Sequence, residues 1–156
     1  MPVHTAVEVG SPAPDFELRD QHGAPVGLSG HRGRRVLLIF YPFAFSGVCR
    51  GELSALRDEF VPAAPEDVRV LAVSSDSVFT LRAWADREGY GFPLLSDFWP
   101  HGRVARAYGV FDEEKGAALR GTFVIDGDGV VRWRVVNPLP QARDIAEYLK
   151  VLAELS

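Results

Sequence analysis

The chain has 156 residues, 47% of them apolar and 24% charged, which suits one soluble globular domain spanning residues 1–156 without long disorder. Its formal charge of −4 withholds the broad positive field that nucleic-acid binders depend on, so no nucleic-acid partner is expected. No run of about 18 apolar residues is present to span a bilayer, residues 1–10 lack a basic start and an apolar stretch of signal length, and one cysteine cannot make an internal disulfide. A reducing, cytoplasmic setting with no membrane partner is the expectation.

From Asp15 to Leu28 the residues alternate around Gln21-His22-Gly23, which predicts an amino-terminal β-hairpin carrying Phe16, Leu18, Val26 and Leu28. A polar loop from Gly30 to Arg35 then leads into Val36 to Tyr41, a continuous apolar run of the kind buried on both faces of a sheet. Pro42 has no N–H for a strand ladder and ends that strand, and a small-residue loop opens a helix from about Gly47 to Val61. A second strand is predicted over Val68 to Val73. The serines and aspartate of 74–77 can cap a helix through Phe79, Leu81, Trp84 and Ala85, with Gly89 and Gly91 ending it.

Phe92 to Asp97 reads as short and extended, and Gly102 to Tyr108 as a short helix closed by Gly109. Asp112 to Ala118 is expected to be a surface loop. Gly127-Asp128-Gly129 is a hairpin signal between β-rich runs at Gly121 to Asp126 and Val130 to Val136. Ile145, Leu149, Leu152 and Leu155 recur at helical spacing and predict a terminal amphipathic helix. The order combines a parallel βαβ unit with an antiparallel pair. It suits an α/β, thioredoxin-like fold: a central mixed sheet flanked by helices, with an amino-terminal hairpin.

Cys49 is the one thiol, and its position separates it from an inert cysteine. By type alone, a lone cytosolic cysteine is more often a small buried hydrophobe than a nucleophile. Here it follows a buried strand and a proline turn and falls in the first turn of a helix. The N–H groups of that turn have no internal partners and carry the positive end of the helix dipole, so they favour the reactive thiolate. Ser46, three residues earlier, can accept from a first-turn amide or donate toward the sulfur or a bound oxygen.

The segment resembles the peroxiredoxin active-site pattern Pro-x-x-x-Thr/Ser-x-x-Cys, matched by Pro42, Ser46 and Cys49. The wider text from Tyr41 to Leu53, with Phe92 to Gly102, is similar to the alkyl hydroperoxide reductase E branch, and the similarity runs from about residue 8 to the end. The resemblance implies an essential arginine at the start of a late strand, which Arg120 supplies, and a glutamate that orients it, which Glu52 supplies. Ser46 stands where threonine is usual; it keeps the hydroxyl and loses the methyl that restricts its rotamers.

The activity implied is a thiol-dependent peroxidase acting on hydrogen peroxide, organic hydroperoxides and peroxynitrite through a Cys49 sulfenic acid. With no second cysteine, an external thiol must close the cycle, in relatives mycothiol with mycoredoxin or a thioredoxin-type protein. The resemblance also implies a homodimer, with Asp97 to His101, Phe43 and Phe45 near the contact. Neither a cofactor nor a metal is expected. The four histidines show no ligand spacing, and Asp126 to Gly129 lacks the later ligands of a calcium loop. Gly30 to Arg35 has no phosphate-binding frame.

Three rivals are weaker. A thioredoxin-type oxidoreductase needs Cys-x-x-Cys where this chain has Cys49-Arg50-Gly51-Glu52. A non-catalytic redox sensor that binds partners when oxidised is the alternative from another class. An inert binding module leaves Pro42, Ser46, Cys49 and Arg120 unexplained together.

Overall fold

Every residue from Val36 to Tyr41 is at most 1% exposed, because the run lies in the middle of the sheet with covered faces on both sides. The computed structural model describes residues 6–138 and 143–155. The strands are β1 (Glu17–Arg19), β2 (Pro25–Gly27), β3 (Arg35–Phe40), β4 (Val68–Ser74), β5 (Leu94–Ser96), β6 (Phe111–Asp112), β7 (Ala117–Ala118), β8 (Arg120–Ile125) and β9 (Val131–Asn137). The helices are α1 (Gly47–Ala55), continued by a π turn (Leu56–Phe60) and α2 (Val61–Ala63), then α3 (Val78–Glu88), α4 (Arg103–Ala107) and α5 (Ile145–Glu154).

Seven strands form one sheet in the order β2-β1-β5-β4-β3-β8-β9. β3, β4 and β5 run parallel, while β8 and β9 extend the sheet antiparallel beside β3. Alternation along β3 divides the core. Leu37, Ile39 and Tyr41 join Leu53, Leu56, Phe60, Leu81, Trp84 and Leu152 under α1, α3 and α5. Val36, Leu38 and Phe40 face the other layer, with Phe16, Val104, Tyr108 and Phe111. Each such fully buried side chain contributes about 1.5–3 kcal/mol relative to exposure. This is the thioredoxin-like arrangement that the order of elements predicts.

Local chemistry sets the element ends. The amino-terminal hairpin pairs Leu18 with Val26, and Asp20 Oδ1 accepts from His22 N and Ala24 N at 2.9 and 3.0 Å to close its turn. Ser77 is the residue of 74–77 that caps α3, accepting from Thr80 N at 3.2 Å. Gly89 ends that helix in the left-handed region at φ 72°. Gly102 starts α4 at φ 73° with the Phe111 ring where a side chain would go, so both backbone and packing require glycine there.

The segment Asp112 to Ala118 departs from the predicted loop. β6 and β7 form a small hairpin outside the main sheet, and Ala117 and Ala118 are 1% exposed. Asp112 Oδ1 accepts from Glu114 N and Lys115 N at 3.0 and 3.1 Å, which closes the turn locally and tucks both alanines inward. Such short pairing is set by burial rather than by a long alternating pattern. No helix among the described residues is long and apolar enough to cross a membrane.

Candidate active site

The site lies where the carboxyl ends of β3 and β4 meet the start of β8. Tyr41 N still donates to Val73 O at 3.0 Å, after which buried Pro42 turns the chain out of the sheet. Phe45 takes φ 68°, a left-handed conformation that costs a non-glycine residue about 1–3 kcal/mol and persists only when neighbours hold it. That turn sets Ser46 at the amino end of α1, with Arg50 N donating to Ser46 O at 2.9 Å. Cys49 follows in the first turn, completely buried.

Arg120 reaches the thiol from across the sheet. Thr122 pairs with Ile39 in the register of β8 and β3, and Arg120 lies two residues earlier, on the same face, alongside the end of β3. Its Nη1 donates to Cys49 Sγ at 3.4 Å and also to Glu52 Oε1. Glu52 is one turn past Cys49 on α1, so both side chains project to the same side. Its carboxylate is fully buried.

A second guanidinium, not singled out by sequence, completes the cluster. Arg143 precedes α5 and is fully buried. Its Nη1 and backbone N donate to Glu52 Oε1 and Oε2, each at 3.0 Å. Its Nε donates to Thr122 Oγ1 at 3.0 Å, and Nη2 to Gly121 O at 3.2 Å and to Phe40 O. Burial pulls Arg143 below the ordinary arginine range, and the Glu52 charge opposes that pull. Tyr148 of α5 bonds Thr122 at 3.0 Å; burial pushes its phenol up to about 12, keeping it neutral. Two guanidiniums and one carboxylate give this cluster one net positive charge, beside Cys49 Sγ.

Ser46 departs from expectation. Its hydroxyl makes no cap bond to a first-turn amide and donates instead to Phe43 O at 2.9 Å, because the turn at Phe45 brings that carbonyl within reach. The remaining predicted members, Pro42, Cys49, Arg120 and Glu52, come together at this junction. Tyr41 lies in the same apolar cluster as Cys49. Burial holds its phenol well above the ordinary range. Asp97 differs from its neighbours: it is buried and accepts from Val104 N and Ala105 N at 3.1 and 2.9 Å, so it caps α4 and does not face outward. Asp126 also has a structural use, since Oδ1 accepts from Asp128 N and Val130 N at 2.9 and 3.0 Å to close the β8–β9 turn.

The family model described as "AhpC/TSA family" matches residues 9–134. The chain belongs to that peroxiredoxin family. It is 47% identical over 151 residues to alkyl hydroperoxide reductase E of Mycobacterium tuberculosis, covering 96% of this chain and 99% of that protein. It is 39% identical over 154 residues to peroxiredoxin-2 of Bos taurus, covering 92% and 76%. Among solved structures, that of Enterococcus faecalis AhpC superposes with a TM-score of 0.85 at 29% identity, covering 94% of this chain and 91% of that one. Peroxidoxin BcpB from Mycobacterium tuberculosis gives 0.80 at 31% identity, covering 95% and 97%.

This peroxiredoxin is therefore a thiol-dependent peroxidase, with a peroxide as substrate and a thiol as reductant. Its single cysteine fits the one-cysteine type. The comparisons do not favour the non-catalytic sensor.

Proposed function

We propose that Cys49 is the thiol that takes the peroxide oxygen, with Arg120, Ser46, Pro42 and Glu52 as its working surroundings. The observation that carries this reading is the buried Arg120 Nη1 at 3.4 Å from Cys49 Sγ, held by the Glu52 carboxylate. The Cys49 thiolate attacks one peroxide oxygen; an S–O bond forms as the O–O bond breaks, and the departing group leaves as hydroxide or alkoxide that takes a proton, or as nitrite when the substrate is peroxynitrite. Arg120 and first-turn amides of α1 donate to the oxygens as charge develops. Ser46 Oγ, although donating to Phe43 O, keeps lone pairs that can accept from the peroxide O–H. Pro42 shields the thiol from bulk water, and Glu52 orients Arg120.

Closing the cycle needs two thiol equivalents. One external thiol attacks the sulfenic acid, releasing water and forming a mixed disulfide; a second attacks that disulfide and returns Cys49 to thiolate. Prompt reduction matters because a sulfinic acid is irreversible without dedicated repair. Hydrogen peroxide, organic hydroperoxides and peroxynitrite are the proposed substrates. The reductant in this proposal is an external thiol, mycothiol with mycoredoxin or a thioredoxin-type protein, as the family resemblance implies. A cytoplasmic setting belongs to this reading, because each turnover draws on a thiol pool.

Stopped-flow tryptophan fluorescence of the reduced protein mixed with hydrogen peroxide tests the proposal, with mass spectrometry of the product. Oxidation far faster than that of free cysteine, with one oxygen added at Cys49, is expected. A rate equal to that of free cysteine would sink it.

A homodimer is part of the same reading. Phe43 and Phe45 are 46% and 45% exposed, and Phe98 and Trp99 are 51% and 81% exposed. Asp76 joins the two segments: its carboxylate accepts from Ala44 N, between Phe43 and Phe45, and its carbonyl from Ser96 Oγ, two residues before Phe98. A second copy covering them removes large apolar surface from water. Sedimentation is expected to show a dimer that Trp99→Asp converts to monomer; a monomeric wild type contradicts this part.

A further inference from the structure

The loop from Pro42 to Cys49 is held by a carboxylate that the chemistry above does not use. Asp76 Oδ2 accepts from Ala44 N at 2.8 Å and from Ser74 Oγ at 2.7 Å. Asp76 is itself fixed: Ser96 Oγ donates to its carbonyl at 2.6 Å, and its N donates to Ser74 Oγ at 3.3 Å. Phe43 O is taken up within the loop by Ser46 N and Ser46 Oγ at 3.4 and 2.9 Å. Ala44 N is thus the group through which the loop is tied to the end of β4, immediately before the left-handed Phe45.

We propose that Asp76 is a positioning residue for the peroxidase reaction, holding the Ala44 amide so that the turn at Phe45 aims the first turn of α1, and with it Cys49, at Arg120. The inference rests on Cys49 being the thiol that reacts with peroxide. A left-handed phenylalanine relaxes unless its surroundings hold it, and Asp76 supplies the tie one residue away. What the role requires is an acceptor oxygen at that place. Asparagine presents one without the charge, whereas glutamate presents the charge one methylene too far along. Position, rather than charge, is therefore what Asp76 contributes.

The test compares oxidation by hydrogen peroxide with alkylation by iodoacetamide in wild type, Asp76→Ala, Asp76→Asn and Asp76→Glu. Misplacing a reacting group by about 1 Å can cost up to about 10²-fold, whereas alkylation makes no use of donors arranged for peroxide oxygens. Asp76→Ala and Asp76→Glu are expected to slow oxidation about tenfold or more, with alkylation within about threefold of wild type and Asp76→Asn restoring oxidation to within about threefold. If Asp76→Ala does not fold, Asp76→Glu against Asp76→Asn carries the same comparison. Oxidation near the wild-type rate in Asp76→Glu, or alkylation falling in parallel with oxidation, overturns the proposal. A wild-type oxidation rate no faster than that of free cysteine overturns it together with the assignment of Cys49.

Discussion

Replacing Arg120 with alanine is expected to slow the oxidation of Cys49 by hydrogen peroxide about 10²–10³-fold, the usual loss when one aligned donor is removed from a closed site. The guanidinium makes two contacts at once, to Cys49 Sγ and to Glu52. In the proposed reaction it supplies a positive charge beside the attacking sulfur and a donor for the oxygens as the O–O bond breaks. Both effects are strong here because Arg120 is only 4% exposed and Cys49 not at all, so little water competes with them. Arg120→Lys keeps the charge but loses the planar fork that serves Glu52 and the sulfur together, and an intermediate rate is expected. Stopped-flow fluorescence measures both; an alanine variant within about threefold of wild type would show that the donor is not used in the transition state.

Glu52→Ala should act mainly on stability. Glu52 is the shared anion of two buried guanidiniums, accepting from Arg120 and twice from Arg143. Its removal takes away the carboxylate that both buried guanidiniums share, and breaking a buried pair by removing one partner costs about 3–5 kcal/mol. At about 2–4 °C per kcal/mol for a domain of this size, thermal unfolding under reducing conditions should fall by roughly 10 °C. Adding Arg143→Met to Glu52→Ala should recover part of the loss, because one uncompensated charge leaves with it. A drop under about 2 °C in the single variant would mean that water reaches the pair and screens it.

The two effects are separable because the residues stand at different distances from the chemistry. Arg120 touches the sulfur, whereas Glu52 touches Arg120 and Arg143 touches Glu52. Glu52→Gln should accordingly slow oxidation by less than Arg120→Ala does, as the amide oxygen still accepts from one guanidinium.

Much of the architecture was legible in the amino-acid order. The unbroken apolar run Val36 to Tyr41 dictates a strand covered on both faces, since no helix face or half-exposed strand needs every position apolar. Pro42 must end it, and the thiol must then fall in the first turn of the next helix. Gly127 to Gly129 closes a hairpin, and the 145–155 periodicity makes a helix that buries Ile145 and Leu152, with Leu149 and Leu155 partly buried. These are local matters, decided over a few residues by sterics and periodicity. Cys49, Pro42, Ser46, Glu52 and Arg120 could be picked out because family resemblance marks positions even when their contacts are unknown.

What tertiary structure alone decided is which distant groups meet. Arg143 carries no local signal before its helix, yet the placement of α5 against β8 brings it to Glu52, 91 positions earlier. Asp76 reads as one more capping candidate among 74–77, but adjacency of β3 and β4 puts it under the Ala44 amide while Ser77 takes the cap. Ser46 was placed correctly and its hydroxyl was not, because a serine rotor follows whichever acceptor the backbone turn at Phe45 presents. Composition and periodicity determine which elements form and which faces they bury; the polar partners inside the site depend on strand order and register, which no single segment encodes.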